Sequence, residues 1–157
     1  MNLDFIDAAK KKRTKPHYQK PDSVKELERL FHEQKKAKHP DVPYLPKTAF
    51  RDDSASGLTQ SIIAWLKLNG HFAARVNVTG IYDVRLGKYR RSGARKGMAD
   101  ISAVVKGRHV SIEVKTGRDR MRPDQLKVKS EVEAAGGVYI VVSSFDDFLR
   151  QINVFLK

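Results

Sequence analysis

The stretch from Asp100 to Lys115, DISAVVKGRHVSIEVK, constrains the fold more than any other part of the chain. In its second half Val110, Ile112 and Val114 alternate with His109, Ser111, Glu113 and Lys115, the period-2 pattern of a half-buried strand. Ile101 to Val105 is another β-rich run, and Lys106-Gly107 supplies the turn between the two. With that turn, Val105 opposes Arg108, Ala103 opposes Val110, Ile101 opposes Ile112, and Asp100 falls opposite Glu113. Opposed residues share a face with Cβ atoms about 4.5–5.5 Å apart, so the two carboxylates repel unless a cation sits between them. Lys115 projects from the same face. Two acids and a lysine at one sheet edge form an arrangement suited to metal and phosphate. The competing reading makes Asp100 a turn residue and Glu113 and Lys115 a solvated strand face; in a chain that is 31% charged, such spacing also arises by chance.

Charge favours the first reading. The chain of 157 residues has room for one domain and an extension, and its 31 Lys and Arg against 18 Asp and Glu give a net charge of +13. Such a balance favours an anionic partner, with nucleic acid as the default. No run approaches the ~18 consecutive apolar residues of a membrane span. Met1 to Lys20 is polar and basic, without a signal-peptide pattern. The absence of cysteine excludes disulfides, thiolate metal sites and cysteine nucleophiles, and suits a reducing cytoplasm. Any metal is therefore held by oxygen or imidazole, and hard oxygen ligands favour Mg²⁺ or Mn²⁺. Residues 79–122 carry 12 basic and 4 acidic residues, and Asp100 and Glu113 are two of those four, so the basic surface surrounds the acidic pair.

Residues 1–50 read as a basic N-terminal extension and Pro-rich linker, an appendage to the domain of residues 51–157. Within the extension Lys10 to Lys20 is a basic run, and a helix is predicted from about Asp22 to Lys38 with Val24, Leu27, Leu30 and Phe31 as its apolar stripe. His39-Pro40, Val42-Pro43 and Leu45-Pro46 then force extended backbone. The compact domain begins near Ser54. A helix is predicted over Leu58–Asn69 with Gly70 as its cap, then a strand over Phe72–Val78. Thr79 to Gly97, rich in Gly and Arg, reads as a long loop. After the hairpin come a basic loop from Thr116 to Arg122, a helix from Pro123 to about Ala135, a buried strand over Val138–Val142 and a helix over Phe145–Phe155. The crossover helix makes the last strand parallel to a sheet neighbour. The expected class is α/β: a mixed sheet of about four strands flanked by helices.

This order of elements, with GMAD at 97–100, IEVK at 112–115, Gln125 on the following helix and GGVYIVV at 136–142, resembles the PD-(D/E)XK nuclease superfamily, and within it the small VRR-NUC proteins of phages and bacteria. The likeness covers roughly residues 57–150. It implies a restriction-endonuclease-like core, a Mg²⁺-dependent endodeoxyribonuclease in which Mn²⁺ can substitute, and a cytoplasmic setting in a bacterial or phage-infected host cell. Asp100 and Glu113 match the two signature acids, Lys115 the signature lysine, and Gln125 a helix glutamine placed beside the site; the Val114 carbonyl is implied as a further metal ligand. The chain departs from the family where an acid is common on the first helix: Thr59 and Gln60 stand there, and Asp52 and Asp53 come too early. Arg122 before Pro123, where a Ser or Thr cap is the better helix start, is a second departure. Branched DNA, including the four-way junction, is the implied substrate, and a junction cutter with two matched sites fits a homodimer.

Arg85, Lys88, Arg90, Arg91, Arg95, Lys96, Arg118, Arg120 and Arg122 are candidates for phosphate contact without sequence readout. Tyr82 and Tyr89 are candidates for stacking on unpaired bases, although tyrosines in a loop are more often loop residues. His109 shares the site face, yet a single strand-start histidine is more often structural. The alternatives are a non-cleaving DNA-binding or assembly protein on the same fold and a basic RNA-binding protein; neither needs opposed carboxylates.

Overall fold

The hairpin folds in the register that the pattern predicts, with Ile101 opposite Ile112, Ala103 opposite Val110 and Val105 opposite Arg108. It lies at the centre of a computed structural model that describes residues 18–77, 80–90 and 93–156, except for the side chains of Ile81 and Arg90. Along the chain come α1 (Asp22–Lys38), α2 (Ala55–Leu68), β1 (Phe72–Arg75), β2 (Ile81–Asp83), β3 (Lys88–Arg90), β4 (Ile101–Val105), β5 (Arg108–Val114), α3 (Pro123–Ala134), β6 (Val138–Val142) and α4 (Phe145–Leu156). The class is mixed α/β. A four-stranded mixed sheet runs in the order β1-β4-β5-β6, antiparallel except for the parallel β5–β6 pair that the α3 crossover dictates. No helix among the described residues is long and apolar enough to cross a membrane.

The two faces of the sheet are covered unequally. Ile101, Ala103, Val105, Val110, Ile112 and Val114 point to one face and join a large core with Leu58, Ile62 and Leu66 of α2 and Phe145, Phe148 and Ile152 of α4. Trp65 packs edge-on against Phe148, its ring centroid 5.3 Å away. The other face, which carries Ser111, Glu113 and Lys115, meets a small cluster of Ala99, Val128 and Tyr139 beneath α3. Glu113 and Lys115 are 2% and 8% exposed, so the solvated-face reading fails: α3 lies over residues whose alternation looked half-buried.

Three expectations are corrected. Helix α1 keeps its predicted bounds but does not stand apart, because Val24 and Leu27 are buried in the large core together with Phe50. Polar ties lock this segment in place: Glu28 accepts from the Phe50 backbone N–H at 2.6 Å, and Asp52 accepts from the Tyr18 hydroxyl and the Phe145 N–H. The predicted loop over 79–97 contains a ribbon, β2 paired with β3, in which Tyr82 opposes Tyr89 and the turn closes at Gly87 with φ +60°. Its weak apolar periodicity hid two three-residue strands held by one aromatic cross-strand pair. Strand β1 ends at Arg75 rather than at 78, because its partner β4 begins at Ile101; one further bond follows, from Val76 N–H to the Asp100 carbonyl at 2.8 Å. Val78, Thr79, Arg91, His17 and most of the basic run of residues 10–20 lie outside the described residues.

Candidate active site

Asp100 stands one residue before β4, where backbone pairing with β5 runs out. Its side chain takes over the missing bond: Oδ2 accepts from the Val114 N–H at 2.9 Å. The carboxylate is thereby pinned at the sheet edge beside Glu113, the residue opposite it in register. Val114 turns its N–H toward Asp100, whereas the Lys115 N–H donates to the Val142 carbonyl of β6. Backbone groups alternate sides along a strand, so the Val114 carbonyl also faces the Asp100 side.

Glu113 is gripped from one end only. Its Oε1 accepts from Lys115 Nζ at 2.9 Å and from Gln125 Nε2 at 2.5 Å. Its Oε2 is buried and has no hydrogen-bond donor among the described residues. Gln125 closes the arrangement, its Oε1 accepting both from Lys115 Nζ at 3.1 Å and from the Arg122 N–H at 2.9 Å. The second bond satisfies one of the orphan donors at the α3 N-terminus, so the helix start lacks a Ser or Thr cap yet is capped from its third position. Lys115 has one more partner, Asp119 at 3.2 Å on the loop before α3.

Burial, reinforced by the neighbouring Asp100 charge, pushes the Glu113 carboxyl above its ordinary range against the opposing pull of Lys115 and Gln125. Burial also works against the Lys115 ammonium, but Glu113 and Asp119 outweigh it and hold Lys115 above its usual value. Lys115 is therefore a cation at neutral pH. Asp119 is held low by its bond to Lys115. The site is thus short of positive charge: one ammonium serves Glu113 and Asp119 while Asp100 adds a third acid beside them.

A tight turn brings α3 to this edge. Gly97 has φ +86°, and a Cβ there would lie 2.5 Å from the Asp124 carbonyl oxygen, so only glycine lets the chain before Asp100 pass the first turn of α3. Lys96 and Arg95 reinforce that passage through pairs with Asp124 and Glu131 of α3, at 2.8 and 2.5 Å. Both pairs are solvent-facing and worth little to stability, so these cations are readily exchanged to a phosphate. Arg118, Arg120 and Arg122 are exposed on the β5–α3 loop, and Arg85 and Lys88 on the β2–β3 ribbon. Arg91 and the Arg90 side chain lie outside the described residues.

The structure brings Asp100, Glu113, Val114, Lys115 and Gln125 together. It does not add the first-helix positions. Asp52 ties Tyr18 to the start of α4, Thr59 bonds to the Ala55 carbonyl within α2, Gln60 is exposed, and Asp53 pairs with Arg51. Helix α2 packs on the sheet face opposite Glu113. His109 bonds to Ser111 at 3.0 Å, in keeping with a structural role. Two residues escaped the sequence reading. Asp119 was hidden in a basic loop. Tyr139 sits in an aliphatic run, yet its hydroxyl is buried beside Glu113 without a well-formed hydrogen bond, and burial, the Glu113 and Asp100 charges and the contact with the Glu113 side chain push the phenol up. The available signal was the hydroxyl itself, since a buried tyrosine in an otherwise aliphatic strand needs a partner.

Among the described residues no group of three or more His, Asp or Glu is placed to hold a metal jointly. Two carboxylates suffice for Mg²⁺, which binds through one or two carboxylates with water and substrate phosphate completing its shell. The free Glu113 Oε2 and the surplus of acid fit a hard cation. Comparison of the chain with protein-family models and with curated proteins yields no match.

Proposed function

We propose that this chain is a metal-dependent endodeoxyribonuclease that hydrolyses phosphodiester bonds on a restriction-endonuclease-like core and is selective for branched DNA such as four-way junctions. The observation that carries the reading is the convergence of half-buried Asp100 with buried Glu113 and Lys115, with one Glu113 oxygen left unpartnered. A module that only binds DNA gains nothing from a desolvated Glu113 with a second acid beside it, which costs stability unless a cation offsets it. The basic surface around the pair supports an anionic substrate.

Asp100, Glu113 and the Val114 carbonyl would hold Mg²⁺ or Mn²⁺, which would supply Lewis acidity toward a phosphoryl oxygen and toward water. The protein's own contribution is orientation and charge. Gln125 and Lys115 fix one Glu113 oxygen and leave the other for the cation. Lys115, held as an ammonium by Glu113 and Asp119, neutralises charge that develops on the phosphate and orients the attacking water. Loss of a single stabiliser of this kind typically lowers kcat by about 10²–10³. Arg118, Arg120 and Arg122 hold the phosphate backbone beside the site. Two such sites in a homodimer suit paired cuts across a junction.

The test is Mg²⁺-dependent cleavage of labelled single-stranded, duplex, flap and four-way-junction DNA, with Asp100→Asn as control. Cleavage is expected to be strongest on the junction and to vanish in the variant. Salt-sensitive binding without cleavage in Mg²⁺ or Mn²⁺ rejects the enzyme and leaves a DNA-binding or assembly protein on the same fold.

A further inference from the structure

The β2–β3 ribbon forms a sheet of its own, separate from the four-stranded sheet. Tyr82 and Tyr89 are directly opposed and therefore share a face, with ring centroids 5.1 Å apart and planes at 64°. Cross-strand packing accounts for that contact. It does not account for the remaining exposure: Tyr89 is 74% exposed, and Val84 and Leu86 in the turn are 84% and 57% exposed. Apolar surface concentrated in this way on one small projecting element marks an interaction site.

Its charge selects the partner. Arg85 is exposed in the turn that follows Tyr82, and Lys88 is exposed next to Tyr89 on the opposite face of the ribbon. The ribbon's one acid, Asp83, turns its carboxylate onto the backbone N–H groups of Arg85 and Leu86, at 3.0 and 3.3 Å. An open aromatic face on a ribbon with an exposed cation in its turn and another at its rim fits an unpaired nucleotide, with the base on the ring and the phosphate reaching Arg85. Duplex DNA offers phosphates but no base faces. We infer that the β2–β3 ribbon is a docking arm for unpaired DNA bases, with Tyr89 as its stacking platform and the Val84–Leu86 turn as an apolar tip against the adjoining base pair. This deepens the nuclease reading, on which it rests for the identity of the substrate: the arm selects DNA whose bases are splayed, as at a branch point.

The experiment is fluorescence anisotropy with labelled oligo-dT and a blunt duplex of equal length, in EDTA so that nothing is cut. Tyr89→Ala, and Tyr89→Val, which keeps a β-branched cross-strand partner for Tyr82, are each expected to weaken oligo-dT binding by about 5- to 100-fold, to leave duplex affinity unchanged and to keep the wild-type melting temperature. Tyr89→Phe should retain wild-type binding. Equal losses on both DNAs, or no loss on oligo-dT, overturn the assignment. So does loss of self-association in sedimentation with oligo-dT binding intact, which gives the face to a second copy of the chain. Because no metal is present, a protein that stacks bases through Tyr89 but never cleaves refutes the nuclease and keeps the arm. One that cleaves normally as Tyr89→Ala, and binds oligo-dT unchanged, does the reverse.

Discussion

Replacing Lys115 by methionine keeps the length of the side chain and removes its charge from between Glu113 and Asp119. At 2.9 Å from Glu113 and an effective dielectric constant of about 20, the attraction removed is about 6 kcal/mol. Desolvation of the pair already offsets part of this, and breaking buried pairs typically costs about 3–5 kcal/mol. Glu113 has an escape, however: it can take up a proton. From an ordinary carboxyl value of 4.5, that neutralisation costs about 1.4 kcal/mol per pH unit, hence about 5 kcal/mol at pH 8 and about 0.7 at pH 5. The smaller of the two penalties governs. The Lys115→Met deficit should therefore be about 3–5 kcal/mol at pH 8 and about 1 kcal/mol at pH 5. The sign agrees with linkage. An acid whose folded pKa is raised leaves the folded state unpenalised below its unfolded value and costs stability as pH rises through the folded value; removing Lys115 enlarges that loss. Urea unfolding followed by circular dichroism, with chelator present, measures both deficits. A deficit equal at the two pH values would falsify the argument, since it would mean that Glu113 does not ionise against Lys115.

Three further outcomes follow from the packing and the site. Leu27→Ala should lower stability by about 2–5 kcal/mol in urea unfolding, because Leu27 is 1% exposed in the large core; a change below about 0.5 kcal/mol would restore α1 to the status of an appendage. Gly97→Ala should cost about 1–2 kcal/mol for the left-handed backbone alone, and more because α3 must shift away from the new Cβ, which differential scanning calorimetry reads as a lower Tm. Mg²⁺ should raise the wild-type Tm, with about 2.7 kcal/mol of stabilisation at a concentration 100 times Kd, and should leave Asp100→Asn and Glu113→Gln unmoved. An equal rise in all three proteins places the cation elsewhere.

The hairpin register was legible in the sequence because the apolar alternation and the Lys106-Gly107 turn admit one pairing. That pairing alone put Asp100 beside Glu113. The burial of Glu113 and Lys115 was not legible, because it depends on where α3 lands, and α3 has little amphipathic pattern of its own: only Gln125 and Val128 are buried on it. Tyr139 is not legible as a site residue for a different reason: its position follows from the β5–β6 pairing and not from its neighbours in sequence. Helix α1 is legible as an element but not as part of the core, since a single narrow stripe of Val24, Leu27, Leu30 and Phe31 does not say what it faces. The β2–β3 ribbon escaped notice because three-residue strands leave almost no period to detect.

Gln125 links two features that could have been independent. Its carbonyl oxygen caps the first turn of α3 through the Arg122 N–H and also receives Lys115, while its amide holds Glu113. Fraying of that single helical turn therefore releases the carboxylate and the ammonium in the same event. Among the described residues, the apolar anchorage of α3 is the small Ala99–Val128–Tyr139 cluster and its partly buried neighbours, whereas three helices share the opposite face. Amide protons of α3 should accordingly exchange through a low-energy opening well before those of β5. The residence time of the ordered site is then the lifetime of one lightly anchored helix end, a clock distinct from global unfolding.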